Sequence, residues 1–328
     1  MALTSVLLAA LAAATARAGE GVLLFSQRDL PYLITNAGSY RLVEPIAFFS
    51  NHTHAIEVRA DNVTIDLNGF TLRGQGSLTG SGIFQTNEWR NLTVRNGMVV
   101  SWRGSERSGI EALGESARMD GITVLSNYNG ITAGPRALVS GCMGTAQNRY
   151  AIRVGDGSRV EFCALWGNPL DRALYAGRGC AIEHCAVYDN YGGLHTEEAG
   201  SVAGCSVVSN STYGLLVVGT GSLVSASAVV AGFDPGILAG PGSTVSRCLV
   251  YDVYGPGIEM GVGGTVEGCL VRDCRTGIVS RFAANIRNCL AYNNTRDGIA
   301  VSNNCRVAKP QLVERMGRDS RGWQGQPR

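Results

Sequence analysis

The sequence is poor in several features that mark common protein classes. It has one lysine, Lys309, among 28 basic residues, only 9 prolines, and 7% aromatic residues. The formal net charge is +2, so the protein lacks a strong field of one sign, which argues against a nucleic-acid partner. No stretch of ten or more residues repeats its apolar positions every 3.6 residues, which excludes a helical solenoid.

The N-terminus carries a short apolar run at residues 6–14, followed by Ala16-Arg17-Ala18. The run is too short to span a bilayer. The small residues around Arg17 fit a signal-peptidase site, so residues 1–18 are predicted to be a signal peptide, and the protein to be secreted, periplasmic or on the cell surface. The leader has no Lys or Arg before its apolar run, which leaves a misassigned start or a buried N-terminal helix as alternatives.

A repeat of about 21 residues runs through most of the chain. In each repeat a small residue is followed by an aliphatic one. The successive pairs are Gly109-Ile110, Gly130-Ile131, Ala151-Ile152, Ala173-Leu174, Gly193-Leu194, Gly214-Leu215, Gly236-Ile237, Gly257-Ile258, Gly277-Ile278 and Gly298-Ile299.

Two further columns keep the same phase. One has a cysteine in each repeat, except for one serine: Cys142, Cys163, Cys185, Cys205, Ser227, Cys248, Cys269 and Cys289. The other has an aliphatic residue three positions earlier, from Val139 to Ile286. Three short apolar segments per repeat predict an all-β solenoid with three short parallel sheets and about ten coils.

The cysteine column is expected to be an interior stack of free thiols rather than disulfides, because side chains aligned along the axis do not have good disulfide geometry. Cys274 lies off the column at a turn and is expected to be the exposed thiol. A turn ladder of asparagines is expected after the third segment, at Asn148, Asn168, Asn190, Asn210 and Asn294.

The off-period residues 19–59 are predicted to be capping strands, residues 60–307 the solenoid, and residues 308–328 a polar tail, with a truncation or frameshift and a helical tail that covers the last coil as the alternatives. Three segments then resemble a known family: PYLITNAGSYRL at 31–42, ADNVTIDLNGFTLRG at 60–74 and NLTVRNG at 91–97. With the coils that follow, they resemble exported bacterial right-handed parallel β-helix repeat proteins of the pectin-lyase-like superfamily. The resemblance implies a single-stranded right-handed parallel β-helix. It leaves function open among lyases, hydrolases, carbohydrate-binding modules and adhesins.

Asp252 and Asp273 form the best acidic cluster for a lyase, because both lie four residues after their column cysteine on neighbouring coils. A Ca²⁺-dependent uronate lyase needs acidic cation ligands and a base. The candidate catalytic residues are therefore Asp252, Asp273, Glu259 and Arg272, with Asp252 and Asp273 also the metal candidates. The alternative is a solvated ladder of turn residues, and the same alternative holds for the adjacent-coil pair Glu161 and Glu183.

Four aromatic residues share one position, three residues after the column cysteine or its equivalent: Trp166, Tyr188, Tyr251 and Tyr292. Such rings can stack on sugars, and they can also cover sheet edges.

The chain shows neither the Asp-Asp dipeptide nor the Gly-His-Gly segment of polygalacturonase-type hydrolases. The sequence therefore leaves three hypotheses: a secreted polysaccharide-binding or polysaccharide-processing protein, a Ca²⁺-dependent uronate lyase, and a non-catalytic structural or adhesive solenoid.

Overall fold

The computed structural model describes residues 22–308, except residues 50–52, 76–79, 105, 213–214, 218 and 234. In this part of the chain every paired strand runs parallel to its neighbours, and the strands form a solenoid of about 12 turns. The described part contains one helix, the 3₁₀ turn Gln27–Asp29, and so has no helix long and apolar enough to cross a membrane. The predicted all-β parallel solenoid is confirmed, with somewhat more coils than expected.

Each coil contributes one strand to each of three faces, joined by short corners. The strands of the first face are Val22–Phe25, Gly38–Leu42, Val63–Asp66, Thr93–Val100, Arg118–Leu125, Leu138–Ser140, Arg159–Glu161, Ala181–Glu183, Ser201–Ala203, Leu223–Ser225, Thr244–Ser246, Thr265–Glu267, Asn285–Arg287 and Arg306–Ala308.

The second face follows the first along the chain. The long strands Thr93–Val100 and Arg118–Leu125 continue from the first face into the second, so the two faces form one 24-stranded sheet. The other strands of the second face are Ile46–Phe48, Thr71–Gly74, Met143–Thr145, Ala164–Trp166, Ala186–Tyr188, Ser206–Val208, Ala228–Gly232, Leu249–Val253, Leu270–Arg272 and Leu290–Tyr292.

The third face is a separate 13-stranded sheet. Its strands are Tyr32–Ile34, Ile56–Val58, Ile83–Gln85, Ser108–Ala112, Asn129–Ala133, Ile152–Val154, Arg172–Ala176, Gly192–Thr196, Leu215–Val217, Ile237–Ala239, Pro256–Met260, Thr276–Ser280 and Ile299–Val301.

The aliphatic residues of the small–aliphatic pairs stack directly on one another on the third face. Ile110 pairs with Ile131, and the same register continues along the face to Ile278 and Ile299. The residue before each aliphatic is small because the corner has no room for a larger side chain. A Cβ at Gly257, for example, would lie 2.3 Å from Cγ1 of Val271.

The cysteine column lies at the corner between the first and second faces, and its thiols are buried. Each thiol donates to a carbonyl two residues earlier, as Cys185 Sγ does to Glu183 O at 3.3 Å. Ser227 replaces the thiol with a hydroxyl and makes the equivalent bond to Ser225 O at 2.9 Å. All ten cysteines are free thiols. The column thus fills a narrow corner, and each thiol adds a hydrogen bond to a carbonyl that can also accept a backbone N–H, as Glu183 O does from Phe162 at 3.1 Å.

The expectation for Cys274 is wrong, because this thiol is only 1% exposed. Its backbone N–H donates to Asn294 Oδ1 at 3.0 Å, so Cys274 occupies one position of a buried ladder on the inner side of the corner. The cysteine that is partly exposed is Cys305.

That ladder lies where the chain leaves the second face, and it is made mainly of amide side chains. The oxygen of each amide accepts the backbone N–H of the equivalent residue in the preceding coil, at 2.9–3.2 Å. Its amide members are Asn127, Gln147, Asn168, Asn190, Asn210 and Asn294, all of them buried. Asn148 is exposed, so its predicted place in the ladder is wrong and Gln147 takes it.

Strands before residue 60 already stack in parallel on later ones. Val22–Phe25 pairs with Gly38–Leu42, and Tyr32–Ile34 pairs with Ile56–Val58. At the other end, Arg306–Ala308 pairs with Asn285–Arg287. The predicted signal peptide and most of the predicted tail lie outside the described residues, and the domain limits remain a prediction.

We expect Asn190→Ala to lower the free energy of unfolding by about 2–3 kcal/mol, because it leaves buried backbone groups without partners. Asn190 Nδ2 donates to Tyr188 O at 3.0 Å and to Leu165 O at 3.2 Å. The matched control, Asn148→Ala, removes an exposed amide and should change stability by less than about 0.5 kcal/mol. Urea unfolding followed by circular dichroism measures both, and equal effects would contradict a buried ladder.

We expect a thiol reagent to label one cysteine per native chain quickly, and the other nine only after unfolding. The nine are at most 2% exposed, whereas Cys305 is partly open to solvent. Cys305→Ser should abolish the fast labelling, and Cys274→Ser should leave it unchanged. Fast reaction of a second thiol would show that the corners open more readily than their packing implies.

Candidate functional site

The four predicted stacking aromatics lie in one outward column of the second face. The backbone register connects them in the order Thr145, Trp166, Tyr188, Val208, Val230, Tyr251, Arg272 and Tyr292. Trp166 and Tyr188 stack with ring centroids 5.7 Å apart and an interplanar angle of 1°. The Arg272 guanidinium lies 4.4 Å from the centre of the Tyr251 ring. We call this set the second-face column.

Asp252 and Asp273 occupy equivalent corner positions beside this column, as predicted. Both have left-handed backbone conformations, with φ of 58° and 54°, and both line an open groove of about 550 Å³. Phe233, Tyr254 and Arg275 also line it. The structure therefore brings the two aspartates to one groove.

The other members of the predicted acidic site do not complete it. Asp273 is already bound by the Arg272 guanidinium and by the Asn293 amide. Glu259 lies on a different face, in the strand Pro256–Met260. Within residues 22–308, apart from the omitted positions, no group of three or more His, Cys, Asp or Glu side chains is arranged to hold a metal ion. Two carboxylates, one of them paired, do not fit a Ca²⁺ site, which takes 6–8 oxygen ligands.

The Glu161 and Glu183 pair is held by a shared arginine on the first face. Arg159 lies 2.7 Å from Glu161 and 2.8 Å from Glu183. Next to them, His184 stacks on Phe162 at 5.2 Å. These charges are satisfied by one another, which favours the solvated-bend interpretation.

The third face carries a constellation that the sequence analysis missed. On three successive coils, the residue after the buried aliphatic points outward, and these residues are Arg153, Tyr175 and His195. The tyrosine and histidine rings stack at 5.0 Å with an interplanar angle of 6°. The signal was present in the repeat, since each residue directly follows a small–aliphatic pair.

A second tyrosine joins them from the preceding corner. The Tyr150 ring lies 5.9 Å from the Tyr175 ring. The Arg153 guanidinium is 5.8 Å from the centre of the Tyr150 ring and 5.6 Å from that of Tyr175. We call Tyr150, Arg153, Tyr175 and His195 the third-face cluster. Cation–π contacts hold its arginine in a fixed place while its charge remains available.

Charged residues surround this cluster and are largely paired. Asp171 lies 3.2 Å from Arg149 and 3.7 Å from Arg172. The Tyr175 hydroxyl donates to Glu197, which also lies 3.7 Å from Arg178. Arg153 has no carboxylate within ion-pair distance among the described residues, so its positive charge is the one left for a ligand.

The local environment sets the proton state of the two rings. Burial, followed by the nearby Arg172 charge, lowers the pKa of His195 to about 4, so its imidazole is neutral at pH 7. Burial and the hydrogen bond to Glu197 raise the pKa of Tyr175 to about 12, so the phenol keeps its proton. His195 is 8% exposed, and its Nδ1 has no hydrogen-bond partner among the described residues.

A shallow groove of about 340 Å³ opens beside Arg153 and Tyr175, the two members of the cluster that line it. Thr132, Asp156 and Glu197 also line it. A cation, a neutral imidazole and a protonated phenol thus lie on three consecutive coils, spaced by about 4.8 Å per coil. Such a set can bind a carboxylate, remove a proton and return one.

Two solved structures share this fold over most of the chain. One is the periplasmic alginate epimerase AlgG, with a TM-score of 0.58 and 10% identity over 85% of this chain and 75% of that one. The other is the A-module of the Azotobacter vinelandii mannuronan C-5 epimerase AlgE6, with a TM-score of 0.55 and 12% identity over 89% and 90% of the two chains. Identities this low establish a common fold alone.

No curated protein matches the chain in sequence. A family model for the right-handed β-helix region matches residues 33–229 and 231–312. This match spans most of the chain and agrees with the three-faced parallel stacking of the strands. The protein belongs to the right-handed β-helix family.

Proposed function

We propose that the protein binds a uronate-containing polysaccharide along the third face and removes the C5 proton of a uronate residue. The observation that carries the proposal is the presence of Arg153, Tyr175 and His195 at equivalent positions of three consecutive coils. The two similar structures are named as epimerases of alginate and of mannuronan at C-5, and this supports a uronate polymer as the substrate class.

The dimensions of the solenoid suit an extended glycan lying parallel to its axis. Successive coils are about 4.8 Å apart, close to the length of one sugar in an extended chain. A uronate whose carboxylate binds Arg153 would then place its neighbours over the coils on either side. The groove beside Arg153 and Tyr175 is shallow and open, which suits a polymer that passes along the surface.

In the proposed reaction His195 is the base, Arg153 stabilises negative charge and Tyr175 is the proton donor. Neutral His195 accepts the C5 proton as the C5–H bond breaks, and its electron pair moves into the carboxylate to form an enediolate. The Arg153 cation stabilises the charge that develops on those oxygens. Tyr175, protonated at neutral pH, is the proton donor, with the hydroxyl proton that it now donates to Glu197.

Two products can follow from the same intermediate. If a C4=C5 double bond forms and the C4–O bond breaks, Tyr175 protonates the leaving oxygen and the polymer is cleaved by elimination. If a water molecule protonates C5 from the opposite side, and the hydroxide so formed takes the proton held by His195, the uronate is epimerised; Tyr175 cannot serve here because it lies on the same side as His195. Both outcomes are consistent with the cluster, and neither requires a metal ligand from Asp252 or Asp273.

The predicted export of the protein agrees with this proposal. Residues 1–18 predict export, and an extracellular or periplasmic polymer is the substrate that an exported protein meets. The competing hypothesis is a structural or adhesive solenoid, in which Tyr175 and Glu197 brace neighbouring coils. Ca²⁺-dependent chemistry at Asp252 and Asp273 remains a prediction from the sequence.

We expect the protein to release hydrogen isotope from C5-labelled uronate polymers into water, because both elimination and epimerisation break that bond. His195→Gln and Arg153→Ala should each lower the rate about 10²-fold or more. Arg159→Ala is the matched control, since it removes an arginine from the first face. Thermal unfolding of each variant checks its fold. Absence of label release from every uronate polymer tested would leave the structural hypothesis in place.

We expect the acid limb of kcat/KM for label release to have its midpoint near pH 4. The base must be neutral to act, and the pKa of His195 is lowered to about 4, so activity should persist through pH 5–7 and be lost as the pH falls through 4. A free histidine would give a midpoint near 6.5. A midpoint close to that value would exclude His195 in its observed environment as the base.

A further inference from the structure

We propose a second carbohydrate site, specific for uncharged sugars, in a saddle on the second face. The saddle is the part of the second-face column in which two small side chains lie between two large ones. Tyr188 lies on one side and Tyr251 on the other, and the two coils between them carry Val208 and Val230. Three coil steps separate the tyrosines, which is about 14 Å along the axis. The site lies on a different face from Arg153 and does not depend on the proposed function.

The tyrosine on one side of the saddle is firmly supported. Tyr188 is 41% exposed, and its ring is stacked on that of Trp166 and nearly parallel to it. A ring held in this way loses little freedom when a ligand stacks on its free side. An open groove of about 500 Å³ begins at Tyr188 and is floored by Ala186, Ser206 and Val208.

The polar groups on the rim are available to a ligand. Asp189 and Ser209 line the same groove, and neither side chain forms a hydrogen bond or ion pair with another described residue. Among the other aspartates on this side, Asp273 is engaged by Arg272, whereas Asp252 has no partner among the described residues. A carboxylate and a hydroxyl beside an exposed ring accept and donate hydrogen bonds with sugar hydroxyls.

The charge around the saddle selects the class of sugar. Asp189 and Asp252 stand on its rim without a partner in the described chain, and the nearest column arginine, Arg272, is paired with Asp273 and lies over Tyr251. A polyuronate would bring further negative charge to these carboxylates. The occupant that fits is therefore a neutral glycan, with the apolar face of one sugar on Tyr188 and its hydroxyls at Asp189 and Ser209.

The test measures binding of neutral cellohexaose and mannohexaose, and of anionic hexagalacturonate, by calorimetry. We expect at least one neutral hexaose to bind and Tyr188→Ala to weaken that binding at least tenfold. Val208→Trp, which fills the saddle from its floor and leaves the Trp166–Tyr188 stack intact, should do the same. Phe162→Ala is the matched control, because Phe162 is an exposed aromatic outside the saddle.

The outcomes also separate this site from the third-face cluster. Tyr188→Ala and Val208→Trp should leave C5 label release unchanged, and Arg153→Ala should leave neutral-glycan binding unchanged. The proposal is overturned if neither neutral hexaose binds, or if only hexagalacturonate does, or if binding survives both saddle variants. The alternative occupant of the saddle is a second copy of the chain, which sedimentation velocity would detect as self-association. Self-association that Tyr188→Ala abolishes would also overturn the proposal.

Discussion

Parallel, in-register stacking of each coil on the next is the constraint from which the other features of the molecule follow. Every strand residue has the equivalent residue about 4.8 Å above and below it, so each position becomes a column along the axis. An inward column must fill the same space in every coil, and its polar groups have no water to bind. The aliphatic columns, the thiols that bond carbonyls and the buried amide ladder are three solutions to that requirement.

The buried columns could be predicted from the sequence for this reason. An interior position accepts few residue types, so Ile131 and Ile152, or Cys163 and Cys185, repeat visibly and with the correct phase. The two errors lie at a corner, where coil length varies by a residue. Gln147 can replace asparagine in the amide ladder because its side-chain amide oxygen accepts the Asn127 N–H as an asparagine would. Cys274 can occupy a ladder position because its own N–H donates to Asn294.

In an outward column the residue type can vary from coil to coil, because the side chains face solvent. The site residues therefore leave no visible repeat in the sequence. Arg153, Tyr175 and His195 are three different residue types at one position, and only the register brings them together. The Asp252 and Asp273 pair could be found because both residues are aspartates at one spacing. Glu259 is close to Asp252 in sequence but lies on the third face, because the chain turns a corner between the strands Leu249–Val253 and Pro256–Met260.

The same stacking constraint allows one solenoid to carry two sites that prefer ligands of different charge. The register is set by backbone hydrogen bonds and inward packing, so outward side chains can change without moving the strands. On the third face Arg153 presents a cation without a carboxylate partner in the described chain, whereas the rim of the second-face saddle presents the unpaired carboxylates Asp189 and Asp252. The core separates the two faces, and each site is built from its own column. A change in the ligand preference of one face therefore need not alter the other, and a polymer bound along the axis of either face meets a row of positions with the same fixed spacing.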